Sequence, residues 1–447
     1  MLAAPAASEA RFHVTALSNL ARAFDKYARR YDKRAIPEST YPEQFFLVRR
    51  EDLALGLAKA AHLPQKTALA GDRLVVLETR VRSDELHPNL RSGRGEFLQR
   101  GWIDLVAVHW PSSGGLTPVS IEEAVALALR SISPSLKPYA DLVPRSVSIL
   151  PVARACDARC PFCFSRASVS LVVEPLPFDL QRAAHVLRRA KERGAARAVI
   201  TGGGEPGLLG EARLCELVEL AARDFERVVL ITSGHWLARL GRSECGRALA
   251  RLARAGLGVL ALSRHAPDED TNARCMGRRT ESRRVADVWR ELALPRLRLR
   301  WICVLQRGAV EDEATLEDYL AFAAHTGVEE VCFKELYVST STESLYHDRE
   351  TNEWSRSHQV PLSLVTGWAA RQGFHEVERL PWGAPVFAGA FAGRALRIAA
   401  YCEPSVLWER RHGLARSWNL LADGRCLASL EDQESEVEPH GLRALPQ

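Results

Sequence analysis

From Val147 onward the chain alternates between two hydrophobic periods. Short apolar runs at 147–152, 197–201, 227–232, 257–263, 299–305 and 329–337 read as buried strands. Between them, at 179–193, 210–223, 244–254, 281–293 and 314–325, Leu, Ala and Val recur at helical spacing. Alternation of this kind predicts an α/β fold, a parallel sheet with crossover helices.

Residues 1–144 follow a different pattern. Helical spacing at 15–31 and 50–61 precedes two strand-like runs, Arg73 to Val81 and Trp102 to Trp110. Ser120-Ile121-Glu122-Glu123 then opens a helix as a capping box, with the apolar run Ala124 to Leu129 behind it. The Pro-containing stretch 133–144 reads as a linker. We expect an N-terminal α+β accessory domain over 1–144, a central domain over 145–345 and a C-terminal extension over 346–447. The extension starts polar and includes a hairpin-like Trp418 to Leu427, whose Asp423-Gly424 is a tight-turn signal.

Side chains alternate faces along a strand, which sorts the polar residues of the later runs. In the fourth, Val259, Ala261, Ser263 and His265 share a face, and the small residues behind them suggest that it looks inward. In the fifth, apolar Leu297, Leu299 and Trp301 face the helices. Arg298 and Arg300 then look inward, which is costly unless they meet an anion. In the sixth, Val331 and Phe333 point outward and Cys332 and Lys334 inward. Lys334, with Glu335 beside it, is the leading candidate for work on a substrate; a buried Lys–Glu pair is the plainer reading. The polar stretch Ser339 to Thr342, with Ser344, Tyr346 and His347, could line a pocket or be ordinary loop.

Composition narrows the class. With 47% hydrophobic and 26% charged residues over 447 positions, the chain reads as globular and large enough for a sizeable core. Lysine occupies seven positions and arginine supplies the rest of the 60 basic residues, as a GC-rich coding sequence would produce. No basic run with interleaved aromatics suggests nucleic-acid binding. No apolar run approaches the ~20 residues that span a bilayer, and Met1 to Ala10 lack a signal-peptide pattern, so we expect no membrane partner. The ten cysteines are mostly scattered and suggest free thiols in a reducing cytoplasm.

Three of them are not scattered. Cys156, Cys160 and Cys163 lie in Cys156-Asp157-Ala158-Arg159-Cys160-Pro161-Phe162-Cys163, directly after the first strand. They fit three corners of a cubane iron–sulfur cluster, with no obvious fourth ligand nearby. A structural zinc site would need four. About forty residues on, at the end of the second strand, stands Thr201-Gly202-Gly203-Gly204-Glu205-Pro206. CxxxCxxC followed by GGEP at the next strand end resembles the radical S-adenosylmethionine (SAM) enzymes.

The resemblance implies a partial (β/α)6 TIM-like barrel with its site at the C-terminal strand ends. It also implies a [4Fe–4S] cluster and SAM as cofactors, a reductant such as flavodoxin or ferredoxin, and a 5′-deoxyadenosyl radical that takes hydrogen from substrate. By the same resemblance Phe162 packs on the adenine, with a simple core Phe as the alternative. Gly203, Gly204 and Glu205 receive the SAM amino group. Ser233 meets the ribose or caps a helix, and Ser263 holds the carboxylate. The run Asp268 to Gly277 after the fourth strand also resembles such relatives, although His265 stands where they commonly have Asp. His265 could be a base, a substrate contact or a structural histidine. Arg300 could meet the SAM carboxylate, a substrate acid or a structural partner.

The tail has only Cys402 and Cys426, far apart, which argues against further cluster domains. No cobalamin signature and no extra reactive cysteines for methyl transfer stand out. A small molecule of specialised metabolism is the favoured substrate, with a ribosomally made peptide as the alternative. A non-catalytic iron–sulfur or zinc protein is a third reading from another class.

Overall fold

The structure, a computed structural model, describes four strands before residue 111. From residue 137 on it describes all but 154, 165–176, 339–349, 405–408, 411 and 440–447. The chain divides into two compact units, Met1–Leu136 and Lys137–Gln447. In the first, β1 (Arg11–Val14), β2 (Gln44–Arg49), β3 (Val75–Arg82) and β4 (Trp102–Trp110) form one sheet in the order β1-β2-β4-β3. Only β1 and β2 run parallel. The two longer strands fall where the sequence places them, whereas β1 and β2 are too short to register as periodic runs. The helices expected at 15–31, 50–61 and after Ser120 lie outside the described residues, as do Ser339 to Thr342, Ser344, Tyr346 and His347.

In the second unit, β5 (Val143–Pro144) precedes the six expected strands. These are β6 (Val147–Ile149), β7 (Ala198–Ile200), β8 (Val228–Thr232), β9 (Val259–Ser263), β10 (Arg298–Leu305) and β11 (Glu330–Glu335). They pair in sequence order and all in parallel. The crossovers carry α1 (Leu180–Glu192), α2 (Glu211–Asp224), α3 (His235–Ala238), α4 (Arg242–Arg254), α5 (Glu269–Met276), α6 (Ser282–Leu292) and α7 (Glu313–Thr326). Local chemistry starts them: Asp179 accepts from two amides of the first turn of α1, and Asp312 with Thr315 forms a reciprocal capping box on α7.

The C-terminal region adds α8 (Glu350–His358), α9 (Ser363–Arg371), β12 (His375–Arg379), β13 (Pro385–Phe391) and β14 (Arg394–Tyr401). It ends with β15 (Leu414–Ala415), β16 (Trp418–Leu420) and β17 (Cys426–Leu427). These strands extend the same sheet at both edges: β14 pairs with β11 and β16 with β6. β16 and β17 are the hairpin expected around Gly424, whose φ of 88° requires the left-handed region. The short β15 pairs with β5.

The alternation argument holds for most strand positions; Arg298, expected to look inward, is instead exposed at the start of β10, where the strand has not yet entered the barrel. Trp301 is fully buried toward α7, its indole N–H donating to Thr326 Oγ1 at 3.1 Å and its ring packing on Phe322. On the opposite face Val229, Val259, Ala261 and Ile302 pack with Val199, Ile231 and Cys332 to line the inside of the barrel. Among the described residues no helix is long and apolar enough to cross a membrane.

Candidate active site

The cysteine loop follows β6 and is pinned from two sides. The Glu205 amide donates to Ala155 O at 2.8 Å, and the Arg159 amide to Met276 O at 2.8 Å. Ala153 also pairs with Gly203. Glycine is required here because the two turns nearly touch: a Cβ on Gly204 would stand 2.0 Å from Ala155 O, and one on Gly203 2.8 Å from Val152 O.

The three thiols face one cavity of about 480 Å³. Burial pushes Cys156 up to about 11. Burial and then the charges of Cys163 and Cys156 push Cys160 up further. Thiolates gathered this closely need a compensating positive charge. Among the described residues no three His, Cys, Asp or Glu side chains converge on a single metal ion. The donor set therefore suits a group with one iron per thiolate, as in a [4Fe–4S] cluster, better than mononuclear zinc.

Glu205 is almost fully buried and heavily engaged. One carboxylate oxygen accepts from Gly207 N–H at 3.1 Å and from the Thr232 hydroxyl; the other accepts from Ser233 N–H at 2.9 Å. Burial, opposed by these donors, leaves its carboxyl above the ordinary range. Glu205 thus ties the glycine turn to the end of β8 and also stands on the cavity wall. Thr232, which sequence reasoning passed over, further accepts from Gly234 N–H at 3.0 Å and Trp236 Nε1–H at 3.2 Å. Its outward position on the strand hid it. The Ser233 hydroxyl accepts from His235 N–H at 3.3 Å, the geometry of a helix start.

His265 lies on the inner face beyond Ser263, 2% exposed. Its Nδ1 accepts from Val304 N–H at 3.0 Å, and its ring meets Phe162 edge to face at 5.1 Å. Burial, then the nearby Arg264, lowers it to about 3. It is therefore a neutral imidazole whose Nδ1 is committed, an N–H donor from Nε2 rather than a ready base. Because the folded pKa lies below the unfolded one, this group favours folding at neutral pH and loses that contribution as pH falls from about 6.5 toward 3. Lowering the pH from 7 to 5 should cost about 2 kcal/mol through this residue. Urea unfolding of cluster-free protein at both pH values should give a smaller pH difference for His265→Gln; an unchanged difference would refute the assignment.

Lys334 reaches Glu403 Oε1 at 3.5 Å and lies over the Tyr401 ring at 4.8 Å. Glu335 is half-buried at the same end. Arg300 faces the cavity lower down, its guanidinium held by Glu330 through Nε at 2.9 Å and through Nη2. Arg298, at the strand start, also bonds Glu330 but is exposed. Of the described candidates, the cysteines, Phe162, Gly204, Glu205, Ser233, Ser263, His265, Arg300, Lys334 and Glu335 line this cavity; Arg298 does not, and Gly203 contributes the backbone approach to Ala153 and Val152.

Residues 150–305 match the family model described as the Radical SAM superfamily. No curated protein matches the chain by sequence. Similar solved structures include Streptococcus suis SuiB bound to S-adenosylmethionine, with 17% identity, 70% of this chain and 67% of that one covered, and TM-score 0.42. Another is anSMEcpe with bound AdoMet and a Kp18Cys peptide: 13% identity, 64% and 74% covered, TM-score 0.40. A third is TYW1 with a lysine-pyruvate adduct: 15% identity, 54% and 78% covered, TM-score 0.34. The family match, with the cysteine loop and glycine turn on adjacent strands, carries the assignment: residues 150–305 form a radical SAM domain.

Proposed function

We propose that this enzyme takes hydrogen from a small-molecule substrate held inside the barrel. The observation that carries the reading is the single cavity onto which the cysteines, Glu205, Ser263, His265 and Lys334 all open. When bound, the cluster and SAM supply an oxidising carbon-centred radical, and the protein supplies placement and exclusion of water. Cys156, Cys160 and Cys163 hold the cluster. Glu205 fixes the turn on which the SAM amino group rests, while Phe162 and Ser263 hold its adenine and carboxylate.

His265 serves as a neutral N–H donor. Lys334, beside Glu403 and over the Tyr401 ring, is placed to bind an acidic substrate group. An electron donor such as flavodoxin or ferredoxin and a cytoplasmic setting complete the reading. A peptide substrate is the second reading. It is favoured by the first unit, whose outer strands β1 and β3 each have one unpaired side among the described residues, as strand addition requires.

Reconstituted, reduced protein incubated anaerobically with SAM should release 5′-deoxyadenosine, detected by mass spectrometry. Cys160→Ala should fall to the level of cluster-free protein. A spectroscopically intact cluster in the wild type without any 5′-deoxyadenosine, with or without candidate substrates, would sink the proposal.

A further inference from the structure

Two arginines at the opposite end of the barrel from the cysteine loop form no ion pair among the described residues. Arg197 and Arg227 immediately precede β7 and β8. The Val147 amide donates to Arg197 O and the Ala198 amide to Arg227 O, at 3.0 and 3.1 Å, so the two residues are neighbours in register. Alternation places Arg197 on the face of Val199 and Arg227 on that of Val229 and Ile231, all members of the inner apolar layer. Arg300, two residues before the inner-layer Ile302, faces the same way. All three line the same cavity.

Glu330 acts on Arg227 through space, but neither arginine has a carboxylate of its own among the described residues. Glu330 is already shared by Arg298 and Arg300. Among the described residues neither Arg197 nor Arg227 forms an ion pair or a side-chain hydrogen bond, and the Arg227 Nε is buried without a partner. Burial works against both charges, joined by Arg300 and Arg416 at Arg197 and by Arg300, Arg197 and Arg298 at Arg227. Guanidiniums half-removed from water and crowded together are costly unless an anion meets them. Their planar forks match carboxylate and phosphate oxygens.

We propose that Arg197 and Arg227, backed by Arg300, form an oxyanion subsite that anchors the substrate by a carboxylate or phosphate. That the anion belongs to the substrate rests on the reading above; the binding rests on the arginines alone. From Arg227 to Ser233 is six residues of strand, about 20 Å of chain at 3.3 Å per residue. An anion at this end is therefore distinct from one held beside the cysteines. The substrate that spans this interval is elongated, with its acid at the arginines and its reacting carbon toward Ser263 and His265.

Phenylglyoxal labelling of the full-length, cluster-reconstituted protein, read by peptide mass spectrometry, tests this without any variant. Sodium phosphate or acetate, compared with chloride at equal ionic strength, should slow modification of Arg197 and Arg227 saturably and at least fivefold. The exposed Arg242 should be unaffected. Protection by phosphate alone assigns a phosphorylated ligand, and protection by acetate a carboxylic acid. Equal labelling of Arg197 and Arg227 in all three salts overturns the proposal.

In Arg227→Gln, half-protection of Arg197 should need at least tenfold more of the protecting anion, and an unchanged requirement would count equally against the subsite. Release of 5′-deoxyadenosine by the wild-type sample is scored separately, so loss of cofactor chemistry is not mistaken for absence of the anion site.

Discussion

Glu205→Ala is expected to lower stability by about 3–9 kcal/mol, because three donors, two of them fully buried, lose their acceptor at about 1–3 kcal/mol each. Those donors are the Gly207 and Ser233 amides and the Thr232 hydroxyl. Glu205→Gln keeps one accepting oxygen but turns an NH2 toward a donor, so it should cost roughly half as much. Urea unfolding of both variants checks this. An Ala variant within about 1 kcal/mol of wild type would mean that water readily replaces the carboxylate. Because the same residue joins the glycine turn to β8, the Ala variant should also bind SAM more weakly.

The second large effect concerns Glu403. Arg416 Nε stands 2.7 Å from Glu403 Oε2, the Tyr401 hydroxyl donates to that oxygen at 3.1 Å, and Lys334 Nζ lies 3.5 Å from Oε1. Burial would raise the Glu403 carboxyl, but Arg416 and Lys334 hold it below its usual value. Arg416→Met should therefore cost about 3–5 kcal/mol, the penalty for leaving a largely buried charge short of its main partner. The double variant Arg416→Met/Glu403→Met should recover most of that loss. Additive losses in the double variant would show that the two residues act independently.

The β11 strand shows how far the sequence could be read. Alternation correctly assigned Lys334 to the inner face, yet its carboxylate partner lies 69 residues away on the tail, beyond the reach of any local pattern. Most of the six parallel strands were legible as compact apolar runs, and β10 and β11 because their charged residues alternate with apolar ones. β13 and β14 were not, although their turn at Ala392-Gly393 leaves both residues at positive φ. The small residues of Pro385–Phe391 blur the alternation.

Among site residues the cysteines and glycines announced themselves by spacing. Arg197 and Arg227 did not, because in so arginine-rich a chain two more attract no notice. Only counting outward from Val199 and Val229 reveals them. Glu205 was identified as a ligand-facing carboxylate, but its commitment to Thr232 depends on a fold contact across 27 residues.

The outer edge of β6, the strand that delivers the cysteine loop, is covered by β16, and Ser148 meets Ser417 across 269 residues of sequence. At ribosomal elongation rates the two are made roughly 15–50 s apart. Until β16 is made, β6 presents a bare strand edge, a template for pairing with another chain, and β11 does so until β14 follows it. Iron delivered before Arg416 emerges would enter an open trough rather than an enclosed chamber.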